Sequence, residues 1–486
     1  MQSRSCKGFV WSLAVVLAVV AGAASAAEGK ADRIDALMSR YHELRQFNGT
    51  VLVAESGKVI FEKGYGMADM EWDVPNKPDT KFRIGSITKQ FTAMLILQLV
   101  EEEKLSVDTK LSELLPYYRE DTGSRITVHQ LLNHTSGIPS YTGLPDFMQD
   151  VSRDPFGVEE FVTKYCGGEL EFEPGSEFRY NNSGYFLLGA IIEQVTGESY
   201  EAVLQARILD PVGMTSTGYD HSESILRRRA AGYERTAGGF RNADYLDMSL
   251  PFAAGSMYST VGDLYLWDQA LYGGELLAAE LEQQMFAPGL ENYGYGWAIQ
   301  QRPVGPDEAE RTIVAHGGGI NGFNTLIERV IEDRNLIVLF NNTGGARLEE
   351  MSGGILDIVY GRTPPEPKLP IGEVLSETFE SSGIDAAIAQ YRKLKQEQPD
   401  AYDFDERELN LLGYRILGTG DIESALAVFR LNVEMFPESW NPYDSLGEAL
   451  AAAGQREEAI RNYAKSLELN PNNRNAVERL SELTRP

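Results

Sequence analysis

A serine and a lysine, separated by two residues, stand at the start of an apolar stretch of the chain. Ser86 and Lys89 lie in the segment FRIGSITKQFTA, which continues as MLILQLV. Residues three positions apart share one face of a helix, so the hydroxyl and the amine are expected to be neighbours. A lysine in such surroundings loses its charge readily and can activate a nearby hydroxyl as a nucleophile. The same pattern also fits a structural role, in which Ser86 caps the helix and Lys89 extends to solvent.

Two further short patterns contain residue types suited to acid–base chemistry or to binding a carbonyl oxygen. Tyr180 and Asn182 lie in RYNNSGY, just before a predicted helix. His316 begins the segment HGGG at the end of a predicted strand, where glycines let backbone N–H groups approach a ligand closely. Taken singly, the first pattern fits an ordinary loop and the second a tight hairpin.

Two other interpretations of the glycine-rich segment conflict with their own structural context. Gly317, Gly319 and Gly322 fit the dinucleotide-binding pattern GxGxxG, but that site requires a helix, and a strand is predicted to follow. The HGGG segment also occurs as an oxyanion motif of α/β-hydrolases. Those enzymes carry their nucleophile in GxSxG, which this sequence lacks.

The elements predicted around these patterns are strands at both ends of the first 361 residues and helices between them. Strands are predicted at 51–55, 59–63, 293–300, 311–319, 322–330 and 335–342. Helices are predicted from Ser86 to about Lys104, within 127–141 and 173–197, from 200 to just before Pro211, after Thr260 or Ser259, and at 348–361. This order indicates the α+β class, in which the terminal strands join one antiparallel sheet and the middle is mostly helical.

The C-terminal part has a different composition and an internal repeat. A proline-rich segment, RTPPEPKLP, is expected to be a linker. Beyond it the sequence repeats at a spacing of 34 residues, which is the tetratricopeptide period. The matching pairs are Leu412-Gly413 with Leu446-Gly447, Gly420 with Gly454, Ala425 with Ala459, Phe429 with Tyr463, and Pro437 with Pro471. A plain helical hairpin is the alternative; repeats would bury their faces by stacking and offer a surface for a protein partner.

The N-terminus is typical of a secretory signal peptide. Arg4 and Lys7 precede an apolar core at 9–20, and a small-residue cleavage pattern ends at Ala26. An uncleaved anchor helix is the alternative, although the apolar core is short for a membrane span. No later stretch has the length of a membrane helix, so the protein is expected to be exported, either periplasmic or secreted.

Charge and cysteine content exclude several classes of function. The net charge of −28 argues against binding nucleic acid or anionic membranes, which both require basic patches. Cys6 leaves with the signal peptide, so Cys166 has no disulfide partner and is expected to be a small buried apolar residue. No histidine lies in HExxH, and no metal or other cofactor is predicted.

Taken in chain order, the three patterns together resemble those of one protein superfamily. Ser86-x-x-Lys89, Tyr180-x-Asn182 and His316-x-Gly318 are similar to the motifs of serine β-lactamases and penicillin-binding proteins. The flanking phrases LLNHTSGIPSY, FEPGSEFRYNNSGYFLLG, ILDPVGM and YSTVGDLYLW resemble its class C β-lactamase-related branch, which includes family S12 peptidases, esterases and D-aminopeptidases.

This resemblance covers roughly 33–360 and implies an architecture. An antiparallel sheet with flanking helices and a helical subdomain is expected, followed by an all-α tetratricopeptide-like domain. The implied boundaries are a signal peptide at 1–26, a serine hydrolase domain at 27–361, a linker at 362–383 and helical repeats at 384–486.

The resemblance also implies roles for the site residues. Ser86 would be the nucleophile of an acyl-enzyme, and Lys89 would hydrogen-bond both Ser86 and Tyr180. A charged Lys89 would favour the anion of Tyr180, which would then act as general base and later as acid. Asn182 would orient Lys89 and the substrate.

The oxyanion hole and the third motif complete the implied site. Backbone N–H groups of Ser86 and Gly319 would bind the oxyanion. His316 and Gly318 would border the substrate groove.

One departure from the family pattern bears on the substrate. True β-lactamases of this kind carry Lys-Thr-Gly where this chain has His316-Gly317-Gly318. A neutral imidazole attracts a carboxylate less than an ammonium group does, so esters, peptides or D-amino-acid amides are expected, with weak or no β-lactamase activity. The rival prediction is a non-catalytic or penicillin-binding protein that holds peptidoglycan or a peptide and recruits partners through its repeats. The retention of Ser86, Lys89 and Tyr180 argues against it.

Overall fold

The chain divides into two compact units, each with its own core. A computed structural model describes residues 29–145, 147–236 and 239–485. The first unit contains the chain up to Arg235 together with Phe240–Pro365, and the second is built from Glu366 onward. The signal peptide predicted at 1–26 lies outside the described residues.

The first unit is built on a six-stranded antiparallel sheet with the order β10-β11-β12-β13-β1-β2. Its strands are β1 (Gly49–Glu55), β2 (Lys58–Tyr65), β10 (Ala298–Val304), β11 (Ala309–Ile320), β12 (Phe323–Val330) and β13 (Asn335–Asn341). The short strands between them are β3 (Met67–Asp69), β4 (Val74–Pro75), β5 (Phe82–Arg83), β6 (Gly218–Tyr219), β7 (Tyr233–Thr236), β8 (Gly239–Asn242) and β9 (Met257–Ser259). The N-terminal strands therefore pair with the late strands, which confirms the α+β prediction.

Most helices of the first unit lie in the chain between the early and the late strands, whereas the first precedes β1 and the last follows β13. They are α1 (29–43), α2 (Thr88–Glu101), α3 (Leu111–Leu114), α4 (Glu120–Gly123), α5 (Val128–Leu132), α6 (Phe147–Asp150), α7 (Val158–Tyr165), α8 (Asn182–Thr196), α9 (Tyr200–Leu204), α10 (Asp210–Val212), α11 (Phe252–Gly255), α12 (Val261–Ala270), α13 (Ala279–Met285) and α14 (Leu348–Val359). Among the helices that the structure describes, none has both the length and the apolar character needed to cross a bilayer.

Alternation along β1 places a separate core on each face of the sheet. Leu52 and Ala54 belong to the larger core, which includes the buried residues of α2 and α8. Val51 and Val53 point to the other face, into a core shared with α1 and α14. A strand directs successive side chains to opposite faces, so β1 and β13 are buried on both sides.

Two elements differ from the sequence prediction. The strand expected at 293–300 begins at Ala298, because Gly296 has φ 77° and Gly294 N–H donates to the carbonyl of Trp297 to form a turn. The helix expected to stop before Pro211 continues through a π-helical turn, Gln205–Leu209, into α10. Pro211 stands in the first turn of α10, where its missing N–H is tolerated.

The second unit is an array of helices around a third core. It contains α15 (Ile371–Ser382), α16 (Ile384–Glu397), α17 (Glu406–Gly418), α18 (Ile422–Met435), α19 (Trp440–Ala452), α20 (Arg456–Leu469) and α21 (Arg474–Thr484), with β14 (Leu369–Pro370) beside β15 (Tyr402–Asp403). The segment predicted as a linker, 362–383, therefore contains α15. The domain boundaries themselves stay a prediction.

The repeated residues meet as their spacing suggests. A methyl group on Gly413 would lie 2.6 Å from the ring of Phe429, and one on Gly447 would lie 3.1 Å from the ring of Tyr463. Glycine at each position lets one helix of a pair approach the aromatic residue of the other. The turn between α17 and α18 contains Gly420, which has φ 86°.

Candidate active site

Ser86 lies on a tight turn that leads into α2. The turn is a 3-10 segment, Gly85–Ile87. It follows β5, which pairs with β9 and so fixes where the turn begins. Gly85 has φ 51°, and a methyl group on it would lie 3.0 Å from the backbone N of Gly319. Only glycine combines this positive φ with so close an approach to another backbone segment. The turn that carries Ser86 therefore packs directly on the end of β11.

Lys89 is fully buried, with 0% of its surface exposed, and makes three hydrogen bonds. Its Nζ lies 2.9 Å from each of Ser86 Oγ, Asn182 Oδ1 and the carbonyl oxygen of Ala254. The predicted contact with Ser86 is therefore present. The predicted hydrogen bond to Tyr180 is not: Nζ lies over the tyrosine ring instead, 4.9 Å from its centroid.

The surroundings of Lys89 and Tyr180 favour the neutral form of both side chains. Burial holds the pKa of Lys89 well below its usual value, which favours the neutral amine. Burial of the hydroxyl of Tyr180 raises its pKa, although 38% of the residue is exposed, and the nearby hydroxyl of Ser86 opposes this shift. This packing does not favour the predicted pair of a charged Lys89 and a Tyr180 anion, because desolvation of the amine and of the phenol hydroxyl penalises both charges.

Asn182 is fixed from two directions. It is the first residue of α8, whose N-terminus is capped by Asn181 through a hydrogen bond from Gly184 N–H. Its Oδ1 accepts from Lys89, and its Nδ2 donates to Thr142 Oγ1 at 3.1 Å.

His316 is a buried residue of β11, only 8% exposed. Its Nδ1 donates to the carbonyl of Gly317 at 2.6 Å, and its Nε2 accepts from the hydroxyl of Tyr293 at 2.9 Å. Burial lowers the pKa of His316 to about 4. The imidazole is therefore neutral over the ordinary pH range.

Sequence reasoning missed Tyr293, although it contacts the third motif directly. The sequence predicts a strand for its segment, YGYGW, and nothing in the spacing of that segment relates it to His316. A tyrosine before a glycine turn is common, and its local sequence does not indicate that the folded chain places it against a histidine.

The two remaining glycines of the third motif have different surroundings. A methyl group on Gly318 would lie 2.0 Å from the carbonyl oxygen of Ile84 and 2.3 Å from Thr325 Oγ1. Gly319 has open space in the same position. Gly318 thus permits the close packing of β11 on the turn before Ser86, whereas Gly319 faces a cavity.

This cavity, of about 200 Å³, is the space in which a substrate could reach Ser86. Its lining is largely apolar, and none of the described residues that line it carries a charge. They are Gly85, Ser86, Tyr141, Thr142, Phe147, Met148, Asn182, Leu246, Leu250, Pro251, Ala254, Gly255, Gly319, Ile320 and Asn321. Of the predicted site residues, Ser86, Asn182 and Gly319 therefore line the cavity, and Lys89, Tyr180, His316 and Gly318 do not.

Comparison with known proteins decides the family. The family model described as Beta-lactamase matches residues 34–359. The chain belongs to the beta-lactamase family. Like the family members with which it aligns, it is a serine hydrolase. A model described as Tetratricopeptide repeat matches residues 440–473, so the C-terminal resemblance is also confirmed.

The proteins with which the chain aligns include penicillin-binding proteins and an amidase. Penicillin-binding protein 4* of Bacillus subtilis (strain 168) is 30% identical over 342 residues, which cover 65% of this chain and 72% of that protein. A penicillin binding protein from Bacillus halodurans has a similar structure, with 29% identity and a TM-score of 0.57 over 65% of this chain and 98% of that one. D-amino acid amidase from Ochrobactrum anthropi SV3 has 26% identity and a TM-score of 0.57 over 69% of this chain and 97% of that one.

Proposed function

We propose that this protein is an exported serine hydrolase that forms an acyl-enzyme on Ser86 and acts on esters, peptides or D-amino-acid amides rather than on β-lactams. The observation that supports it best is the buried chain of contacts from Asn182 through Lys89 to Ser86, at the edge of an apolar cavity. Export is inferred from the predicted signal peptide. The C-terminal repeats are proposed to bind a protein partner.

Lys89 removes the proton of Ser86 in this mechanism. Two of its three neighbours, Asn182 Oδ1 and the carbonyl of Ala254, can only accept hydrogen bonds. A neutral amine donates one N–H to each of them and keeps its lone pair for the hydroxyl of Ser86. As Ser86 Oγ attacks the carbonyl carbon of the substrate, its proton moves to Lys89 Nζ.

The oxyanion forms between two backbone segments. Ser86 and Gly319 border the same cavity and meet where Gly85 contacts the end of β11. Their N–H groups are proposed to bind the developing negative charge, which contributes about 3–4 kcal/mol of transition-state stabilisation per donor.

Tyr180 completes the acylation step as an acid. Its raised pKa keeps the phenol protonated, and its hydroxyl lies near that of Ser86. It donates its proton to the leaving alcohol or amine as the tetrahedral intermediate collapses. The resulting tyrosinate then takes up the proton that Lys89 removed from Ser86, which restores both residues. Water releases the acyl group by the same transfers in reverse.

The cavity supports the choice of substrate class. Its described lining offers apolar side chains, including Phe147, Leu246 and Leu250, and no cation to bind a carboxylate. His316, the residue that replaces the family lysine, is neutral and lies outside the lining. Substrates with an uncharged, apolar acyl group are therefore favoured over the carboxylate-bearing β-lactams.

Turnover of three substrate classes tests this function. The purified protein is assayed with p-nitrophenyl butyrate, D-phenylalanine amide and a chromogenic cephalosporin, with Ser86→Ala as the control. The proposal expects the highest kcat/KM for the ester or the amide and the lowest for the cephalosporin. A cephalosporin hydrolysed faster than both others contradicts the proposed substrate class.

A further inference from the structure

His134 occupies a strained position at the end of α5. It follows the last turn of that helix with φ 61°, in the left-handed region that glycine and asparagine adopt more easily than histidine. The residue is only 1% exposed, so its ring is packed inside the protein. Backbone strain of this kind persists only where the surroundings fix it, and it marks a position that merits a functional explanation.

The backbone of Tyr180 is held by His134 on both sides. The N–H of Arg179 donates to the carbonyl of His134 at 2.9 Å, and the N–H of Asn181 donates to its Nδ1 at 3.2 Å. The two rings also pack together, with centroids 4.4 Å apart. Residues 177–181 belong to no helix or strand. The contacts with His134, and not the hydrogen bonds of a regular element, therefore hold this segment in place.

The side chain of His134 can accept the hydrogen bond from Asn181 N–H only when its Nδ1 is unprotonated. Nδ1 must be an acceptor, which places the ring proton on Nε2, and Nε2 has no hydrogen-bond partner among the described residues. Burial keeps the pKa of His134 well below its usual value. The acceptor is therefore available throughout the working pH range.

We propose that His134 is a positioning residue that holds Tyr180 where its hydroxyl can protonate the leaving group. The bond from Asn181 N–H to Nδ1 and the bond from Arg179 N–H to the carbonyl fix the backbone on either side of the tyrosine, and this backbone sets where the tyrosine side chain lies. The inference rests on the proposed function, in which Tyr180 is the acid. His134 itself touches neither Ser86 nor Lys89 through any hydrogen bond recorded for the described residues.

A leaving-group comparison separates this role from a general loss of structure. Ethoxide is a strong base that leaves only with a proton, whereas p-nitrophenolate is stable enough to leave without one. Displacing Tyr180 should therefore slow hydrolysis of an ethyl ester much more than hydrolysis of the p-nitrophenyl ester of the same acid. A merely weakened fold slows both equally.

Two neutral amide substitutions provide a matched pair of variants. Asparagine tolerates the left-handed backbone and places its oxygen near the position of Nδ1, whereas glutamine places its oxygen near that of Nε2. We expect His134→Asn to keep the wild-type ratio of kcat/KM between ethyl and p-nitrophenyl butyrate. We expect His134→Gln to lower the ethyl ester value about tenfold or more and the p-nitrophenyl value less than about threefold.

Thermal unfolding checks that each variant is folded, and His134→Ala replaces His134→Gln if the latter does not fold. An equal loss for both esters in the variant without the Nδ1 acceptor overturns the inference. A His134→Asn variant that loses the ethyl ester selectively overturns it as well.

The variant Tyr180→Phe separates failure of this inference from failure of the proposed function. If Tyr180→Phe hydrolyses ethyl butyrate at the wild-type rate, Tyr180 is not the acid and the proposed function is wrong at that step. If Tyr180→Phe is slow, His134→Gln should cause no further loss in that background. An undiminished loss there means that His134 acts through some other residue.

Discussion

The buried amine of Lys89 contacts Asn182 Oδ1, the carbonyl of Ala254 and Ser86 Oγ, and none of these described partners is a carboxylate. Burial without an anionic partner lowers the pKa of Lys89 and favours the neutral amine. A neutral lysine beside a serine hydroxyl is a base facing a nucleophile, which gives the Ser-x-x-Lys spacing a chemical meaning that it lacks in the sequence alone.

The pH dependence of acylation should report this lysine. Lys89 must be neutral to take the proton of Ser86, so the labelling rate should fall as pH falls through its lowered pKa and level off above it. We expect fluorophosphonate labelling, measured from about pH 5 to 10, to reach its plateau below the ordinary lysine pKa of about 10.4. Lys89→Arg stays charged and should label at least about 100-fold more slowly at every pH. A wild-type rate that still rises at the upper limit contradicts a neutral Lys89.

Replacing His316 with lysine should damage the fold rather than create a β-lactamase. The side chain is buried against Tyr293, so an ammonium group there would be desolvated without an anionic partner. We expect His316→Lys to lower the free energy of unfolding by roughly 3 kcal/mol. The ratio of kcat/KM for a cephalosporin to that for p-nitrophenyl butyrate should stay unchanged. An increase of about tenfold in that ratio would show that the residue reaches the substrate.

At this scale, the sequence could predict contacts within one helix but not contacts across the fold. Ser86 and Lys89 share a helix face, so their contact follows from spacing. His134 and Tyr293 reach the site from separate loops, and no local pattern relates them to Tyr180 or His316. The charge states were also beyond the sequence, because they depend on burial, which only the packed structure shows.

Among the elements, the position of Ser86 depends on how closely β11 packs on the turn before α2. Gly318 allows this, since any side chain there meets the carbonyl of Ile84. Gly317, one residue earlier on the same strand, would meet its nearest atoms only at 3.7 Å. Of these two adjacent glycines, only Gly318 lies where a side chain would clash with the turn before α2.

A pair of alanine substitutions tests this packing. Gly318→Ala should push β11 away from the turn, lower the melting temperature and slow fluorophosphonate labelling of Ser86 by about tenfold or more. Gly317→Ala should leave the melting temperature and the labelling rate close to wild type, because its methyl group would make only ordinary van der Waals contacts, at 3.7 Å. Equal effects of the two substitutions would show that β11 does not set the position of Ser86.

Elements with a strong periodic pattern were predictable, and those shaped by turns were not. The strands at 51–55 and 59–63 and the repeat glycines appear where the sequence placed them. The start of β10 and the continuation of the helix past Pro211 depend on Gly296 and on a π-helical turn. Both effects come from local backbone geometry that residue preferences describe poorly.

For the whole molecule, the two units differ in the cores that hold them together. Both cores of the first unit are built from residues no later than Val359, and the third core begins at Ile371. The first unit should therefore fold without the repeats.

Truncation after Pro365 tests this independence. We expect the shortened protein to unfold cooperatively and to label with fluorophosphonate at a rate within about twofold of the full chain, since no residue of its cores is lost. Circular dichroism during heating and the labelling rate measure the two properties. Aggregation or loss of labelling would mean that the repeats are needed to complete the hydrolase unit.

The most direct test of the account is to locate the acyl group that the protein forms. The wild-type protein and Ser86→Ala are mixed with a fluorophosphonate, and each is analysed by intact mass and then by peptide mass spectrometry. If Ser86 is the nucleophile, one adduct per wild-type molecule should form, on the peptide that contains Ser86, and none on the variant. The variant should keep the wild-type melting temperature, because only a hydroxyl is removed. An adduct on any other residue, or an equal adduct on Ser86→Ala, would contradict it.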